Sequence, residues 1–165
     1  MIIRSGHNID PKTIEDALAT HPAVHLCAAV GAPDAYAGEL PVAFVTLMEG
    51  AQATEAELVA YAAAHVDEGP ARPKRVIVLE AMPMTNVGKI YKPDLRHLAT
   101  AVSVEAVVAR TLQKAGLAED SKIFRVLADA QPDVAVEAAP GVSAPLKEQL
   151  REALARLPVK VVLRD

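Results

Sequence analysis

The densest chemistry in the sequence lies between Pro83 and Arg96, PMTNVGKIYKPDLR, where Lys89 directly follows Gly88 among residues that favour turns. A lysine ammonium is a compact point charge with three donors, and a glycine beside it lets backbone approach a ligand closely. Such a loop can carry a cation onto a phosphate or a carboxylate. Spacing alone does not separate this from a solvated surface lysine, the commoner condition of lysines on loops. Lys92 and Arg96 follow three and seven residues after Lys89, and either reach a phosphate or flank a helix start. Gly6, in MIIRSGHNID, reads on its own as a turn residue needing positive φ. His21, His25 and Cys27 are close enough in sequence to be weighed as zinc ligands. They sit on a helix end and a strand without the paired spacing of a zinc site, so no metal is expected there.

The elements that must hold these residues follow from local pattern. MIIR reads as a strand, and the chain opens directly into it, as though continuing a larger protein. Asp10-Pro11 supplies an N-cap followed by a proline at the first helical position, and Ile14, Ala17 and Leu18 give a stripe for a helix to about Thr20. VHLCAAVGAPD and PVAFVTL read as an antiparallel strand pair, with Val24, Leu26, Ala28 and Val30 on one face. Thr54 and Glu57 form a capping box, with Leu58, Tyr61, Ala62 and His65 at helical spacing behind it. KRVIVLE is a third strand, and the turn-rich stretch MPMTNVGK leads to a helix starting at Pro93. A further helix is expected from Ser103 to Gly116, its C-terminal glycine, after which the pattern restarts. KIFRVLA and VAVEA then read as strands, Leu146, Leu150, Leu154 and Leu157 line a helix, and VKVVL is a last strand. On that helix Glu152 precedes Arg156 by four residues, the favourable order for an ion pair. The fold class is α+β, a small mixed domain with a central sheet flanked by helices and a C-terminal β-β-α-β extension.

Composition bounds the partners. The 165 residues are 52% apolar, enough to bury a core, but only 3% aromatic, so aliphatic side chains must build it. Few rings and a net charge of −4 argue against nucleic acid as a partner. No apolar run approaches the ~20 residues that a transmembrane helix needs. The single cysteine, Cys27, can form no intramolecular disulfide, and a reducing cytoplasm is the expected compartment.

The stretch Pro83–Arg96 resembles the terminal lysine motif of acyl-CoA synthetases and related acyl-adenylate-forming ligases, P-x-T-x-x-G-K-I-x-K-x-x-L-R. Pro83, Thr85, Gly88, Lys89, Ile90, Lys92, Leu95 and Arg96 match it. IIRSGHNIDPKTIEDAL is similar to the family's hinge-proximal motif, and HPAVHLCAAVGAPDAYAGELPVAFVTL resembles the strands between the two. The resemblance covers residues 1–100 and implies the small C-terminal lid domain of an AMP-dependent ligase; residues 101–165 form an extension of unknown role, packed on the lid or following it. It implies a parent that converts a fatty or related organic acid, ATP and coenzyme A to acyl-CoA, AMP and pyrophosphate. ATP, magnesium and coenzyme A are the parent's cofactors, with none bound tightly to this segment, which alone should be inactive. The partners implied are an N-terminal adenylation domain of the same chain and small-molecule substrates.

In that family the lid takes two orientations. In the first, the lysine matched by Lys89 bridges the substrate carboxylate and the α-phosphate; in the second, the loop matched by Ser5, Gly6 and His7 lines the tunnel for pantetheine. Gly88 would shape the lysine loop, and Lys92 and Arg96 would be second-rank phosphate contacts. The sequence departs from the family pattern at Thr13, where glutamate is usual, which leaves Glu15 as a helix-surface acid. The acidic residue near the family's hinge has no counterpart in this chain. A carrier protein in place of free coenzyme A, or a freestanding non-catalytic module with the lid fold, are the alternatives left open.

Overall fold

A computed structural model describes residues 1–117, 123–128 and 133–164. The chain divides into two compact units, one of Met1–Ala32 with Tyr36–Arg96, the other of Pro33–Ala35 with the described residues from His97 onward.

The first unit begins with a hairpin, of which the sequence reading gave only the first strand. Strand β1 (Ile2–Arg4) pairs antiparallel with β2 (His7–Ile9), Ile2 opposite Ile9 and Arg4 opposite His7. Ser5 and Gly6 form the two-residue loop, with φ of 48° and 84°. Positive φ at both positions is the geometry whose twist suits a tight hairpin. Strand β2 escaped notice because three residues with one buried side chain, Ile9, carry no alternation to read.

Helix α1 (Pro11–Ala19) starts where expected: the Asp10 side chain accepts from the Lys12 N–H at 2.9 Å, and Ile14 and Leu18 are buried. Strands β3 (Val24–Asp34) and β4 (Gly38–Leu47) are neighbours joined by three residues, a connection only an antiparallel pair can use. The buried face expected for β3 is half of the story. Ala29 and Cys27 also enter the core with Ile14, Leu18 and Leu58, so both faces of β3 are covered.

Helix α2 (Glu55–His65) carries the full reciprocal capping box between Thr54 and Glu57 and buries Leu58 and Ala62. It crosses over to β5 (Arg75–Val78), which runs parallel to β4 with Val42 opposite Arg75 and Val45 opposite Val78. A parallel neighbour requires such a crossover, and α2 supplies it. The sheet therefore runs β2-β1-β4-β3, with β5 also on β4.

Helix α3 (Lys92–Lys114) merges the two helices expected from Pro93 and Ser103 into one. No glycine or proline interrupts the sequence between Pro93 and Gly116, so nothing breaks the backbone hydrogen bonding. Gly116, at φ 73°, ends it as read: Leu117 N–H reaches Leu112 O at 2.8 Å and Gly116 N–H reaches Gln113 O at 3.1 Å, closing the orphan carbonyls.

The second unit has the β-β-α-β order read from the sequence. Strand β6 (Phe124–Leu127) pairs antiparallel with β7 (Val134–Ala138), which pairs parallel with β8 (Val161–Arg164) across helix α4 (Ala144–Leu154). Residue 122, the first of the expected β6 stretch, lies outside the described residues. Leu146, Leu150, Leu154 and Leu157 are buried against Val134, Val136, Phe124 and α3 residues Val104 and Leu112. The expected Glu152 and Arg156 pair does not form, because α4 ends at Leu154 and Arg156 lies beyond it; Arg151 pairs with Glu148 instead.

Leu58 in the first core and Leu150 in the second are fully buried. Leu58→Ala and Leu150→Ala are each expected to lower unfolding free energy by about 2–5 kcal/mol in denaturant melts. A loss below ~1 kcal/mol would show that the face is not packed as described.

Candidate functional site

Lys89 sits on a small hairpin. Met84 and Ile90 form an antiparallel bridge, and Tyr91 N–H donates to Pro83 O at 2.8 Å. Inside that stem Thr85 makes three contacts: its N–H donates to Lys89 O at 2.7 Å, its carbonyl accepts from Gly88 N–H at 2.9 Å, and its hydroxyl accepts from Lys89 N–H at 3.1 Å. Gly88 has φ 78°, the left-handed residue that closes a three-residue hairpin loop. An added Cβ there would meet nothing within 4 Å, so the demand for glycine is conformational. The backbone of Lys89 is thus fixed on both sides while its side chain is exposed and finds no acceptor among the described residues. Val87 beside it is 81% exposed, and Met84 and Tyr91 are also open.

Lys92 is placed differently. Its ammonium lies 2.7 Å from Glu15 Oε1 and 3.5 Å from Ala29 O, and the same Glu15 oxygen accepts from Ala29 N–H at 2.8 Å. Glu15 is therefore no surface acid: it is half-buried between α1, β3 and the first residue of α3. Arg96 lies one turn further along α3, exposed.

Ser5, Gly6 and His7 are all exposed at the β1–β2 turn. Ser5 N–H donates to Ala37 O at 2.8 Å, and Arg4 Nη1 to Pro70 O at 2.7 Å, which anchors the hairpin base. The sequence reading missed a further support. Glu39 accepts from Ile3 N–H at 2.8 Å, and a Cβ on Gly31 would lie 2.5 Å from Glu39 Cδ. A side chain on Gly31 would have to displace that carboxylate. No hydrogen bond or ion pair among the described residues links Ser5, Gly6 or His7 to Lys89.

His21 and Cys27 have other uses. His21 Nδ1 accepts from Ala23 N–H at 3.1 Å and its ring edge meets Tyr61 at 4.7 Å, while Tyr61 stacks on His65 at 3.9 Å. Burial, aided by the nearby Glu15 carboxylate and opposed by Lys92, pushes the Cys27 thiol up from 9.0 to about 12.

Residues 13–89 match the model of the AMP-binding enzyme C-terminal domain. Residues 13–89 are a domain of that family. The match ends at Lys89, ahead of helix α3. The AMP-binding C-terminal domain here is 50% identical over 97 residues to the marinolic acid–CoA ligase of a Pseudoalteromonas species, 59% of this chain and 15% of that protein. It is 42% identical over 102 residues to the acetyl-coenzyme A synthetase of Streptomyces avermitilis, 60% of this chain and 16% of that protein. Among solved structures, fatty acyl CoA synthetase of Mycobacterium tuberculosis superposes with a TM-score of 0.56 at 34% identity, over 62% of this chain and 20% of that one. Apo MatB from Rhodopseudomonas palustris gives 0.57 at 31%, over 61% and 20%. The chain spans about 15–16% of the length of these curated relatives. The α+β fold of the domain is the C-terminal domain fold of acyl-CoA synthetases, and no helix among its described residues is long and apolar enough to cross a membrane.

The half-buried thiol provides a direct check on this geometry. Folded protein keeps the Cys27 proton between pH 9.0 and about 12 while unfolded chain loses it, so Cys27 lowers stability as pH rises through that window. At pH 8 a thiol-specific disulfide reagent is expected to label Cys27 about a thousandfold more slowly in native protein than in denaturant, since the thiolate is the reactive form. Equal rates would place Cys27 outside the core.

Proposed function

We propose that this domain is the lid of an ATP-dependent acyl-CoA ligase that makes an acyl-adenylate and pyrophosphate from a fatty or related organic acid and ATP, then transfers the acyl group to coenzyme A. The observation that carries the reading is Lys89: a cation on a doubly braced backbone, without a partner among the described residues, at an exposed tip with apolar Val87 beside it. A positioned cation stabilises charge spread over phosphoryl oxygens, and bracing it beforehand avoids reorganisation during reaction. Lys89 is therefore assigned to adenylation, bridging the acid's carboxylate and the α-phosphate when the lid closes on an N-terminal domain of the same protein. ATP and magnesium belong to that domain, so the present segment alone is inactive. The cytoplasm, with its reduced thiols, is the proposed compartment.

Ser5, Gly6 and His7 are assigned to the second orientation, lining the path of the pantetheine thiol. Both Ser5 and Gly6 are exposed at a turn only a left-handed backbone can make, so the chain there is narrow and fixed. Names of relatives such as marinolic acid–CoA ligase and acetyl-coenzyme A synthetase support free coenzyme A as acceptor over a carrier protein.

The test uses the full-length enzyme carrying this domain. Lys89→Ala is expected to lower acid-dependent ATP–pyrophosphate exchange by about 10²–10³-fold while leaving thioester formation from supplied acyl-adenylate near wild type. Gly6→Leu is expected to do the reverse. Because Leu is strained at φ 84°, Gly6→Asn is the sharper variant: asparagine tolerates that backbone, so a loss of thioester formation reports obstruction and not misfolding. Equal loss of both half-reactions in the Lys89 and Gly6 variants would overturn the two-orientation account.

A further inference from the structure

Lys89 can act only if its hairpin points the right way, and the hairpin's internal bonds do not settle that. Thr85 shapes the loop, but the direction of the loop depends on how its stem joins the domain. On the incoming side, Leu79 N–H donates to Val45 O at 2.8 Å, fastening the end of β5 to β4. On the outgoing side the first helical residue is Lys92, three positions after Lys89.

Lys92 meets one carboxylate oxygen that is already occupied by β3. Glu15 Oε1 holds the Lys92 ammonium at 2.7 Å and the Ala29 N–H at 2.8 Å, and the ammonium also approaches Ala29 O at 3.5 Å. Side-chain exposures of 35% and 24% make this a sheltered ion pair; Lys12 with Asp16, by contrast, stands at 70% and 64%. It also joins residues 77 apart in sequence, where helical pairs such as Lys12 with Asp16 only stiffen their own turn. Leu95, fully buried one turn along, already holds α3 against the domain. What the ion pair adds is the position of the helix's first residue, and with it the stem of the lysine hairpin.

We propose that Glu15 and Lys92 are positioning residues for adenylation: their ion pair pins the outgoing stem of the hairpin to α1 and β3, and so aims Lys89 at the reacting phosphoryl group. This rests on the assignment of Lys89 to adenylation, and it takes Lys92 out of the phosphate-binding role. A misplacement of about 1 Å costs on the order of 10²-fold when the misplaced group must meet reacting atoms. The pair lies within the domain, so it is kept in both lid orientations, but only the lysine-dependent step feels its loss.

In the full-length enzyme, Lys92→Met keeps the side-chain length without the charge. It is expected to lower kcat for ATP–pyrophosphate exchange by about 10–100-fold, leaving thioester formation from supplied acyl-adenylate and the KM for coenzyme A within about twofold of wild type. Lys92→Arg should restore most of the exchange rate, and Glu15→Gln, which still accepts from Ala29 N–H, should show the same one-sided loss. Adding Lys92→Met to Lys89→Ala should cost nothing more, because an unaimed lysine and an absent one are equivalent. In the 165-residue chain, Lys92→Met should speed amide exchange of Gly88, Lys89 and Tyr91 at least about tenfold while α2 amides stay unchanged. A raised KM for coenzyme A with exchange intact would return Lys92 to phosphate binding and overturn the proposal. So would loss of both half-reactions together, or no change in either. If Lys89→Ala itself leaves exchange intact, the adenylation assignment fails and the proposal with it, whereas an effect of Lys89→Ala without one of Lys92→Met overturns the pair alone.

Discussion

Two carboxylates, each shared with a backbone N–H, hold the two hairpins on which the chemistry of this domain would rest. Glu39 takes the Ile3 N–H and so fixes the start of the hairpin that carries Ser5, Gly6 and His7. Glu15 takes the Ala29 N–H and the Lys92 ammonium, and so fixes the strand and helix that flank the hairpin of Lys89. A charge-assisted hydrogen bond is stronger than a neutral one and geometrically stricter, so each carboxylate fixes position as well as adding stability. Glu15 is also neutralised by Lys92, in a chain with 21 acidic and 17 basic residues. That matters for Lys89, whose use depends on its not being neutralised by a neighbour.

The backbone completes what the carboxylates begin. Both hairpins turn through left-handed residues, Ser5 and Gly6 in one and Gly88 in the other, so each tip is tight and presents little besides the functional side chain. Around them, β4 is the common member of the sheet, paired with β1, β3 and β5. Its parallel pairing with β5 sets where the lysine hairpin begins, because Leu79 N–H is bonded to Val45 O at the end of that ladder. Cys27 and Ala29, in the core beneath α1, tie the same strand that receives Glu15 into the apolar centre.

Much of this was legible wherever the signal was local. Asp10-Pro11, the Thr54 and Glu57 capping box, and Gly116 each announce a helix end within a few residues, and each helix begins or ends there. The lysine stretch was legible for the same reason, since turn formers, Gly88 and Lys89 are contiguous. The short strand β2 was not, because a hairpin of three-residue strands is defined by its partner and not by its own pattern. The joined helix α3 was read as two, one from Pro93 and one from Ser103, although no residue between them can break a helix.

What the sequence hid most completely was the allocation of charge. Lys89 and Lys92 have the same chemistry, three residues apart, and local reasoning ranks both as phosphate contacts. They differ in what the fold brings near them. Glu15 arrives beside Lys92 from 77 residues away because α1 packs on β3, and the apolar stripe that does this, Ile14 and Leu18, says nothing about the carboxylate between them. Gly31 shows the same logic in reverse: a glycine inside a strand looks like a weakness until Glu39 is seen to fill its missing side chain's space. In both cases a residue's role is set by a long-range partner, so the apolar pattern that dictates the fold also decides, indirectly, which lysine is left free to react.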